Sequence, residues 1–211
     1  TNMIRSYIHR CQKDGVKIVM NCEVTPELIK EEKPDSVIIA TGSKTLILPI
    51  EGIDNPAIIH GSDLLDGKRA AGKKVLVVGG GMVGCETAAF LGEQEHDVTV
   101  IEFRDTVGAD VIHEHRVYLM KDFEDYGIKE ITGAKVCKFY EDGVEYETAD
   151  GVRHESRGYD SVILSMGFRN YNPLEEKIKD LVPETHVIGD AIRARRALDA
   201  TKEAYEVASR I

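Results

Sequence analysis

The stretch Val75-Leu76-Val77-Val78-Gly79-Gly80-Gly81-Met82-Val83-Gly84-Cys85-Glu86 decides the fold of this chain. Its four leading apolar residues predict a buried strand, and residues 79–84 spell G-x-G-x-x-G ahead of a helical segment. A second apolar run, 98–101, ends at Glu102, about 20 residues beyond Gly81. A strand, glycine turn, helix, second strand and acid in this order predict a dinucleotide-binding β-α-β unit.

The glycine turn has the features that a pyrophosphate site requires. Gly79 allows the tight turn, Gly81 lets the backbone approach the phosphates, and Gly84 permits close packing of helix on strand. The phosphates are expected at the helix N-terminus, where free N–H groups and the positive end of the helix dipole converge. The predicted nucleotide-binding residues of the turn are Gly79, Gly80, Gly81, Met82, Val83 and Gly84.

Three charged residues bear on which nucleotide binds and how. Glu102 favours NAD(H) over NADP(H), because a carboxylate accepts hydrogen bonds from the adenosine ribose but repels a 2′-phosphate. Arg104 could swing toward a 2′-phosphate, which leaves NADP(H) as the alternative. Glu86 has two open interpretations, a contact near the nicotinamide or compensation of the helix dipole from the first helical turn. A glycine turn kept only for packing is a further alternative, which the full register of motifs disfavours.

The rest of the chain indicates an α/β protein whose character changes toward the C-terminus. The run 16–20 predicts a strand, and apolar residues at helical spacing predict a helix over 191–211. The dipeptides Asp142-Gly143 and Asp150-Gly151 are typical of hairpins, so we expect a three-stranded meander that ends at 161–164.

Composition and charge limit the class of protein and its partners. With 42% hydrophobic and 30% charged residues among 211, the chain is expected to fold as a globular protein. It lacks a run of about 20 apolar residues and a signal-peptide core, so a cytoplasmic protein without a membrane partner is expected. A formal charge of −10 disfavours nucleic acid as a partner. The four cysteines form no C-x-x-C pair and are expected to be reduced.

Several residues that suggest chemistry have plainer interpretations. His113 and His115 are predicted to be solvated rather than metal-binding, because residues two apart do not share a helix face. Cys85 is predicted to be a packing residue, and Tyr118 and Phe123 are predicted core aromatics. No catalytic nucleophile or acid–base group is predicted. A basic cluster has two open interpretations, a contact with a phosphate or a neighbouring domain, or a solvated helix face. It consists of Arg193, Arg195 and Arg196.

Three motifs together resemble a known family of flavoproteins. They are the string 77–91 with 98–102, the A-T-G sequence at 40–42, and the G-D-A sequence at 189–191. In order and spacing they resemble flavoproteins with two dinucleotide-binding domains. More narrowly, they resemble the C-terminal half of the 2,4-dienoyl-CoA reductase, NADH:flavin oxidoreductase and trimethylamine dehydrogenase group.

The resemblance implies a three-layer, Rossmann-like NAD(P)-binding domain with a β-meander at 70–165, inserted in a partial FAD-type domain made of 1–69 and 166–211. It implies hydride transfer from NADH to FAD, which the full-length protein holds, with the electrons passed to another domain or acceptor. It further implies that a helix from Ala191 directs its N-terminus at the flavin, and that Asp190 contacts the flavin or serves as a helix N-cap. The implied flavin-site residues are Thr41, Gly42, Gly167, Gly189, Asp190 and Ala191.

The chain also departs from that pattern. The sequence lacks the glycine fingerprint and ribose acid that open the family's FAD domain, the β/α-barrel, and the cysteine cluster of an iron–sulfur centre. We therefore expect a piece of a longer flavoprotein that binds NAD(H) with little or no turnover by itself. The alternative is a non-catalytic ADP-binding module with a structural or interaction role. An incomplete flavin domain would expose apolar edges, which favours homo-oligomers.

Overall fold

A computed structural model describes residues 2–211, and Thr1 lies outside the described residues. A 3-10 turn covers Gly189–Ala191. The helices are α1 (Asn2–Lys13), α2 (Pro26–Glu32), α3 (Gly61–Leu65), α4 (Met82–Glu93), α5 (His113–Asp125), α6 (Glu175–Ile178) and α7 (Ala197–Ala208). The strands are β1 (Ser36–Ile39), β2 (Ser43–Thr45), β3 (Ile59–His60), β4 (Lys74–Val78), β5 (Asp97–Ile101), β6 (Lys129–Ile131), β7 (Lys135–Tyr140), β8 (Gly143–Glu147), β9 (Arg153–Ser156), β10 (Ser161–Leu164), β11 (Phe168–Asn170) and β12 (Glu184–Val187).

The chain divides into two compact units, one inserted within the other. We call residues 43–169 the central unit, and residues 2–42 with 170–211 the flanking unit. The sequence placed the boundaries later at the first junction and slightly earlier at the second. The segment 43–69 joins the central unit because β3 pairs in parallel with β10, with Ile59 opposite Ile163.

The central unit is built on a five-stranded parallel sheet of order β3-β10-β4-β5-β6. Alternate side chains of a strand face opposite layers, and β4 shows this clearly. Val75 and Val77 pack in one apolar cluster with Leu91 of α4, whereas Leu76 packs in a second cluster with Phe139 of β7. The sheet therefore lies between a helical layer and the antiparallel sheet β7-β8-β9. The predicted α/β, Rossmann-like fold is confirmed.

The meander has three strands, as predicted, but it ends at β9 and not at 161–164. It consists of β7, β8 and β9, whereas the run 161–164 is β10 and pairs in parallel with β4. All four residues of β10 are buried, as expected for a strand covered on both faces. Its burial on both faces explains why it belongs to the parallel sheet.

The flanking unit contains a two-stranded parallel sheet of β1 and β12, with Ile39 opposite Val187. The α2 helix begins after Thr25, whose hydroxyl accepts a hydrogen bond from the backbone N–H of Leu28 at 3.3 Å. Ile39 packs with Ile29 of α2 in a small apolar cluster that also contains α6. This cluster is the main core of the flanking unit.

Two predicted elements of the flanking unit are wrong. The run 16–20 forms no strand, because no strand in the described part of the chain pairs with it, and Met20 is 75% exposed. The C-terminal helix begins at Ala197 and not at Ala191. Its start is fixed by Asp199, whose carboxylate accepts a hydrogen bond from the backbone N–H of Arg196 at 3.2 Å.

The two predicted core aromatics differ. Phe123 is buried, which confirms the prediction, but Tyr118 is 72% exposed. Both lie on α5, and only the face with Leu119 and Phe123 packs on the central sheet. Across residues 2–211, no helix is long and apolar enough to cross a membrane.

Candidate functional site

The glycine turn joins the C-terminal end of β4 to the N-terminus of α4. Gly79 has a φ of +105°, in the region that favours glycine, and a Cβ there would overlap the carbonyl oxygen of Ser165. A Cβ on Gly84 would overlap the carbonyl oxygen of Gly79, so the helix can approach the turn only with glycine at this position. Gly81 is the N-cap residue and has no side chain to satisfy the first N–H groups of α4.

Glu102 lies beside the turn at the C-terminal end of β5. Its Oε2 accepts a hydrogen bond from the backbone N–H of Gly80 at 2.6 Å, and its Oε1 accepts one from Arg104 at 2.9 Å. Two backbone donors therefore fix the carboxylate next to the turn that was predicted to bind pyrophosphate. The side chain of Arg104 is exposed. The roles of Glu102 and Arg104 toward a nucleotide stay predictions.

The loop between β5 and α5 folds back over the glycine turn. The backbone N–H of Gly108 donates to the carbonyl oxygen of Gly80 at 2.7 Å. Arg116 of α5 holds the loop from the other side, since its guanidinium donates to Thr106 Oγ1 at 3.0 Å and to the carbonyl oxygen of Val107 at 3.1 Å. This segment, residues 103–112, is called the cover loop below.

Asp110 of the cover loop places a carboxylate at the N-terminus of α4. Its Oδ1 accepts a hydrogen bond from the backbone N–H of Met82 at 3.0 Å. Its Oδ2 lies 3.2 Å from the position that a Cβ on Gly81 would take. This contact could not be predicted from the sequence, because it depends on the path of the loop and leaves no spacing signal.

Cys85 is a packing residue, as predicted. Its side chain is fully buried, and its Sγ donates to the carbonyl oxygen of Gly80 at 3.2 Å. Burial raises the pKa of this thiol to about 12, and the negative charges of Asp110, Glu130 and Glu102 contribute in the same direction. The thiol is therefore protonated at neutral pH and is not a nucleophile.

Glu86 is placed differently from the prediction. It is the fifth residue of α4, which has no acidic residue in its first turn, so the first-turn interpretation is wrong. The side chain is about half exposed, and its Oε1 lies 4.0 Å from Nε2 of His115 on α5. A contact between Glu86 and a nicotinamide stays a prediction.

In the flanking unit, the structure brings two of the predicted flavin-site groups to one end of a sheet. Thr41 and Gly42 follow β1, and Gly189–Ala191 follows β12, which runs parallel to β1 in register. The Thr41 hydroxyl donates to the carbonyl oxygen of Tyr171, and the Tyr171 N–H donates to the carbonyl oxygen of Gly42 at 3.0 Å. Ligands of open α/β sheets bind at this carboxyl end of the strands.

The turn after β12 is held by charged side chains. Glu203 of α7 accepts a hydrogen bond from the backbone N–H of Gly189 at 2.7 Å and pairs with the guanidinium of Arg195 at 2.5 Å. The Arg195 hydrogen bond and the Gly189 N–H hold the pKa of Glu203 below its ordinary value. Asp190 Oδ1 accepts a hydrogen bond from the backbone N–H of Arg195 at 3.1 Å. Asp190 therefore stabilises the loop before α7, whose N-cap residue is Arg196.

The basic cluster lies in the loop before α7 and not on a helix face. Arg195 pairs with Glu203, and Arg196 pairs with Asp199 at 3.4 Å. Arg193 is exposed. Two of the three cations thus have carboxylate partners within the chain, and a phosphate or domain contact of the cluster stays a prediction.

Gly167 belongs to the central unit, whereas the other predicted flavin-site residues belong to the flanking unit. It follows β10 with a φ of +95°, and its carbonyl oxygen accepts a hydrogen bond from the Leu46 N–H at 2.9 Å.

The flanking unit has a cavity of about 390 Å³ between α2 and β1 that reaches Thr41. Its walls are mainly apolar, with Leu28 and Ile39 among the lining residues.

Comparison with known proteins places the chain in a family. The family described as pyridine nucleotide-disulphide oxidoreductase matches residues 6–188. The chain belongs to this family. The family combines FAD with NAD(P)H, so the predicted class of flavoprotein with two nucleotide cofactors is confirmed at this level. All four cysteines of the chain are free thiols.

Individual relatives of this pyridine nucleotide-disulphide oxidoreductase chain are longer proteins. The chain is 31% identical over 200 residues to a cinnamate reductase of Clostridium sporogenes. The matched region covers 93% of this chain and 30% of that protein. It is 32% identical over 202 residues to an NADH oxidase of Thermoanaerobacter brockii, covering 93% and 31%. The solved structure of a 2-naphthoyl-CoA reductase complex superposes with a TM-score of 0.89 at 31% identity, covering 99% of this chain and 32% of that one. The chain thus spans about a third of the length of these relatives.

The residues of the pyridine nucleotide-disulphide oxidoreductase chain fit a dinucleotide in the central unit. A Cβ at Gly79, Gly80 or Gly84 would overlap neighbouring atoms of the chain, so these glycines let the turn pack closely against its surroundings. At Gly81 the nearest atoms belong to the exposed side chain of Asp110, so the backbone there can be approached once that side chain moves. The carboxylate of Glu102 stands at the next strand end. Strand ends, helix N-terminus and acid therefore occur together, which is the arrangement that a dinucleotide requires.

Proposed function

We propose that this chain is the NAD(P)H-binding portion of a flavin-dependent oxidoreductase, with NADH as the preferred donor. In the full-length protein FAD would supply the acceptor for the hydride of NADH, and the electrons would then go to another domain or acceptor. The observation that carries this proposal is the Glu102 carboxylate, held 2.6 Å from the Gly80 N–H at the edge of the glycine turn. Because this chain is a third of its relatives, the activity is proposed for the whole protein.

The preference for NADH over NADPH follows from the position of one negative charge. The ribose hydroxyls of NADH can donate to a carboxylate at Glu102, whereas the 2′-phosphate of NADPH would bring a second anion against it. Both carboxylate oxygens are held by backbone N–H groups, so the charge cannot easily move away. The exposed guanidinium of Arg104 is the feature of this chain that supports the NADPH alternative.

The flanking unit is proposed to contribute part of the FAD site. Thr41, Gly42, Gly189, Asp190 and Ala191 support this, because they lie at the carboxyl ends of two paired parallel strands. FAD, when bound, would supply the hydride acceptor, and these residues would contact and orient it. We also propose membership of the narrower dienoyl-CoA reductase, NADH:flavin oxidoreductase and trimethylamine dehydrogenase group, which the motif order supports.

The cofactor assignment is tested by calorimetric titration of the 211-residue chain with NADH and NADPH. We expect NADH to bind more tightly than NADPH. Glu102→Gln, which keeps the size of the side chain, should weaken NADH binding about tenfold because charged hydrogen bonds to the ribose are lost. Glu102→Arg should reverse the preference. Unchanged affinities in both variants would refute the role of Glu102.

The redox assignment is tested separately from nucleotide binding. The full-length flavoprotein should lose its flavin absorbance when NADH is added without oxygen, and Glu102→Arg should shift this reduction toward NADPH. The isolated chain is expected to bind NADH with little or no turnover. A full-length protein that binds ADP as tightly as NADH and holds no reducible flavin would instead support the non-catalytic module.

A further inference from the structure

The N-terminus of α4 already has an anionic partner, the carboxylate of Asp110. The acceptor oxygen is 3.0 Å from the Met82 N–H, the first N–H of the helix. The second oxygen lies over Gly81, 3.2 Å from where a side chain at that position would begin. The carboxylate therefore lies over the part of the turn that glycine leaves open.

A cofactor pyrophosphate needs the same position. Helix N-termini stabilise negative charge through their free N–H groups and the helix dipole. The Met82 N–H cannot be fully used by Asp110 and by a phosphate oxygen together, and two anions at that distance repel each other. Binding of the pyrophosphate therefore requires the carboxylate to leave.

We propose that Asp110 is an internal anion that competes with the pyrophosphate and so sets the affinity of the site for phosphate-bearing nucleotides. The inference rests on the proposed function, because it takes the glycine turn to be the dinucleotide site. Asp110 is then an affinity-determining residue, and adenosine, which carries no phosphate, does not compete with it.

The cover loop is built so that the side chain can leave without unfolding the loop. The backbone is anchored elsewhere, by the hydrogen bond from Gly108 to Gly80 and by the Arg116 guanidinium. Asp110 itself is exposed to solvent, so its side chain has space to rotate outward. Displacement of the carboxylate then costs one exposed hydrogen bond and a favourable interaction with the helix dipole.

The chain offers a matched control in Asp105. This acid lies in the same cover loop and is also exposed. Its Oδ1 lies near Gly133, 3.7 Å from the position that a Cβ on that glycine would take. Asp105→Asn removes the same unit of charge as Asp110→Asn but leaves the carboxylate over α4 in place. Asp110→Ala removes both the charge and the acceptor, whereas Asp110→Asn keeps an acceptor for the Met82 N–H.

The test is calorimetric titration of the 211-residue chain and its variants with ADP and with adenosine. We expect Asp110→Ala to bind ADP about two- to tenfold more tightly than the unmodified chain, with Asp110→Asn between the two. Adenosine affinity should not change in either variant, and Asp105→Asn should leave both affinities unchanged. Thermal unfolding of each variant checks that the fold is retained.

The outcomes separate this inference from the function on which it rests. If the unmodified chain binds ADP and both Asp110 variants bind it equally or more weakly, the inference is overturned and the proposed function stands. An equal gain in Asp105→Asn also overturns it, because general charge would then be the cause. If neither the chain nor any variant binds ADP or NADH, the proposed function fails and the inference fails with it.

Discussion

At the scale of single residues, Glu102 and Asp110 show what a sequence can and cannot reveal about this site. Glu102 was predictable because a parallel β-α-β unit fixes the distance from the turn to the next strand end. Asp110 lies only eight positions further along, yet its contact with Met82 depends on the fold of an irregular loop. Regular elements transmit position along the chain, whereas a loop is placed by hydrogen bonds such as that from Gly108 to Gly80.

Gly84 provides a prediction at this scale. Gly84→Ala should destabilise the central unit by about 3 kcal/mol, because the added methyl group overlaps the carbonyl oxygen of Gly79 and the backbone must shift. The measurement is urea unfolding followed by circular dichroism.

Gly81→Ala is the matched control for that prediction. Its backbone φ of −73° suits any residue, and the new Cβ would meet only the side chain of Asp110. We expect a loss below about 1 kcal/mol in stability, together with weaker ADP binding because the methyl group faces the phosphates. Equal stability losses in the two variants would show that helix and turn are not as close as the structure indicates.

At the scale of elements, an apolar run formed a strand only where another strand was available to pair with it. The run 75–78 in β4 pairs with β5 on one side and with β10 on the other, and its residues are almost completely inaccessible to solvent. The run 16–20 has the same apolar character but no paired strand among residues 2–211, so it stays irregular. A strand requires a hydrogen-bonded neighbour, and local composition cannot provide one.

The predicted start of α7 was wrong for a related reason. Apolar spacing continued the predicted helix back to Ala191, but Gly189–Ala191 forms a 3-10 turn and the helix starts only at Ala197. Asp190 and Glu203 accept hydrogen bonds from backbone N–H groups of this segment, which stabilise a loop conformation there. Periodicity reports which residues share a face, but these contacts between side chain and backbone decide where the helix begins.

Glu203 gives a pH-dependent prediction for the turn after β12. Its pKa is lower in the folded chain than the ordinary 4.5, because Arg195 and the Gly189 N–H bind the ionised form. Its contribution to stability is therefore present above about pH 4.5 and is lost as the pH falls through the lower folded value. Glu203→Gln should lower the thermal unfolding midpoint at pH 7, and the difference from the unmodified chain should narrow at acidic pH.

The control for this prediction lies on the same helix. Glu206 is exposed and forms a long ion pair with Lys202, with 3.8 Å between Nζ and Oε1. Glu206→Gln therefore removes the same charge as Glu203→Gln but leaves the contacts of the turn in place. It should leave the unfolding midpoint nearly unchanged. A pH-independent loss in Glu203→Gln would argue that packing, and not the ionised carboxylate, supports the turn.

At the scale of the whole molecule, the boundaries of the compact units differ from those that the motifs predicted. The predicted nucleotide-binding domain covers 70–165, whereas the central unit covers 43–169. The first boundary lies after residue 42 and not after residue 69, because the short strand β3 pairs with β10, about a hundred residues away. Such long-range pairing of a two-residue strand has no local signature.

The division into two units leads to a prediction about where a ligand acts. ADP at about 100 times its dissociation constant should stabilise the unit that binds it by about 2.7 kcal/mol, which slows exchange through global opening about 100-fold. Hydrogen–deuterium exchange should therefore show ADP protection in the central unit, first at Gly79–Gly84, while the amides of β1 and β12 exchange as before. Gly81→Ala should reduce this protection at the same ADP concentration. Equal protection of both units would instead mean that they open as one cooperative structure, so that binding to the glycine turn also stabilises the segments proposed to hold the flavin.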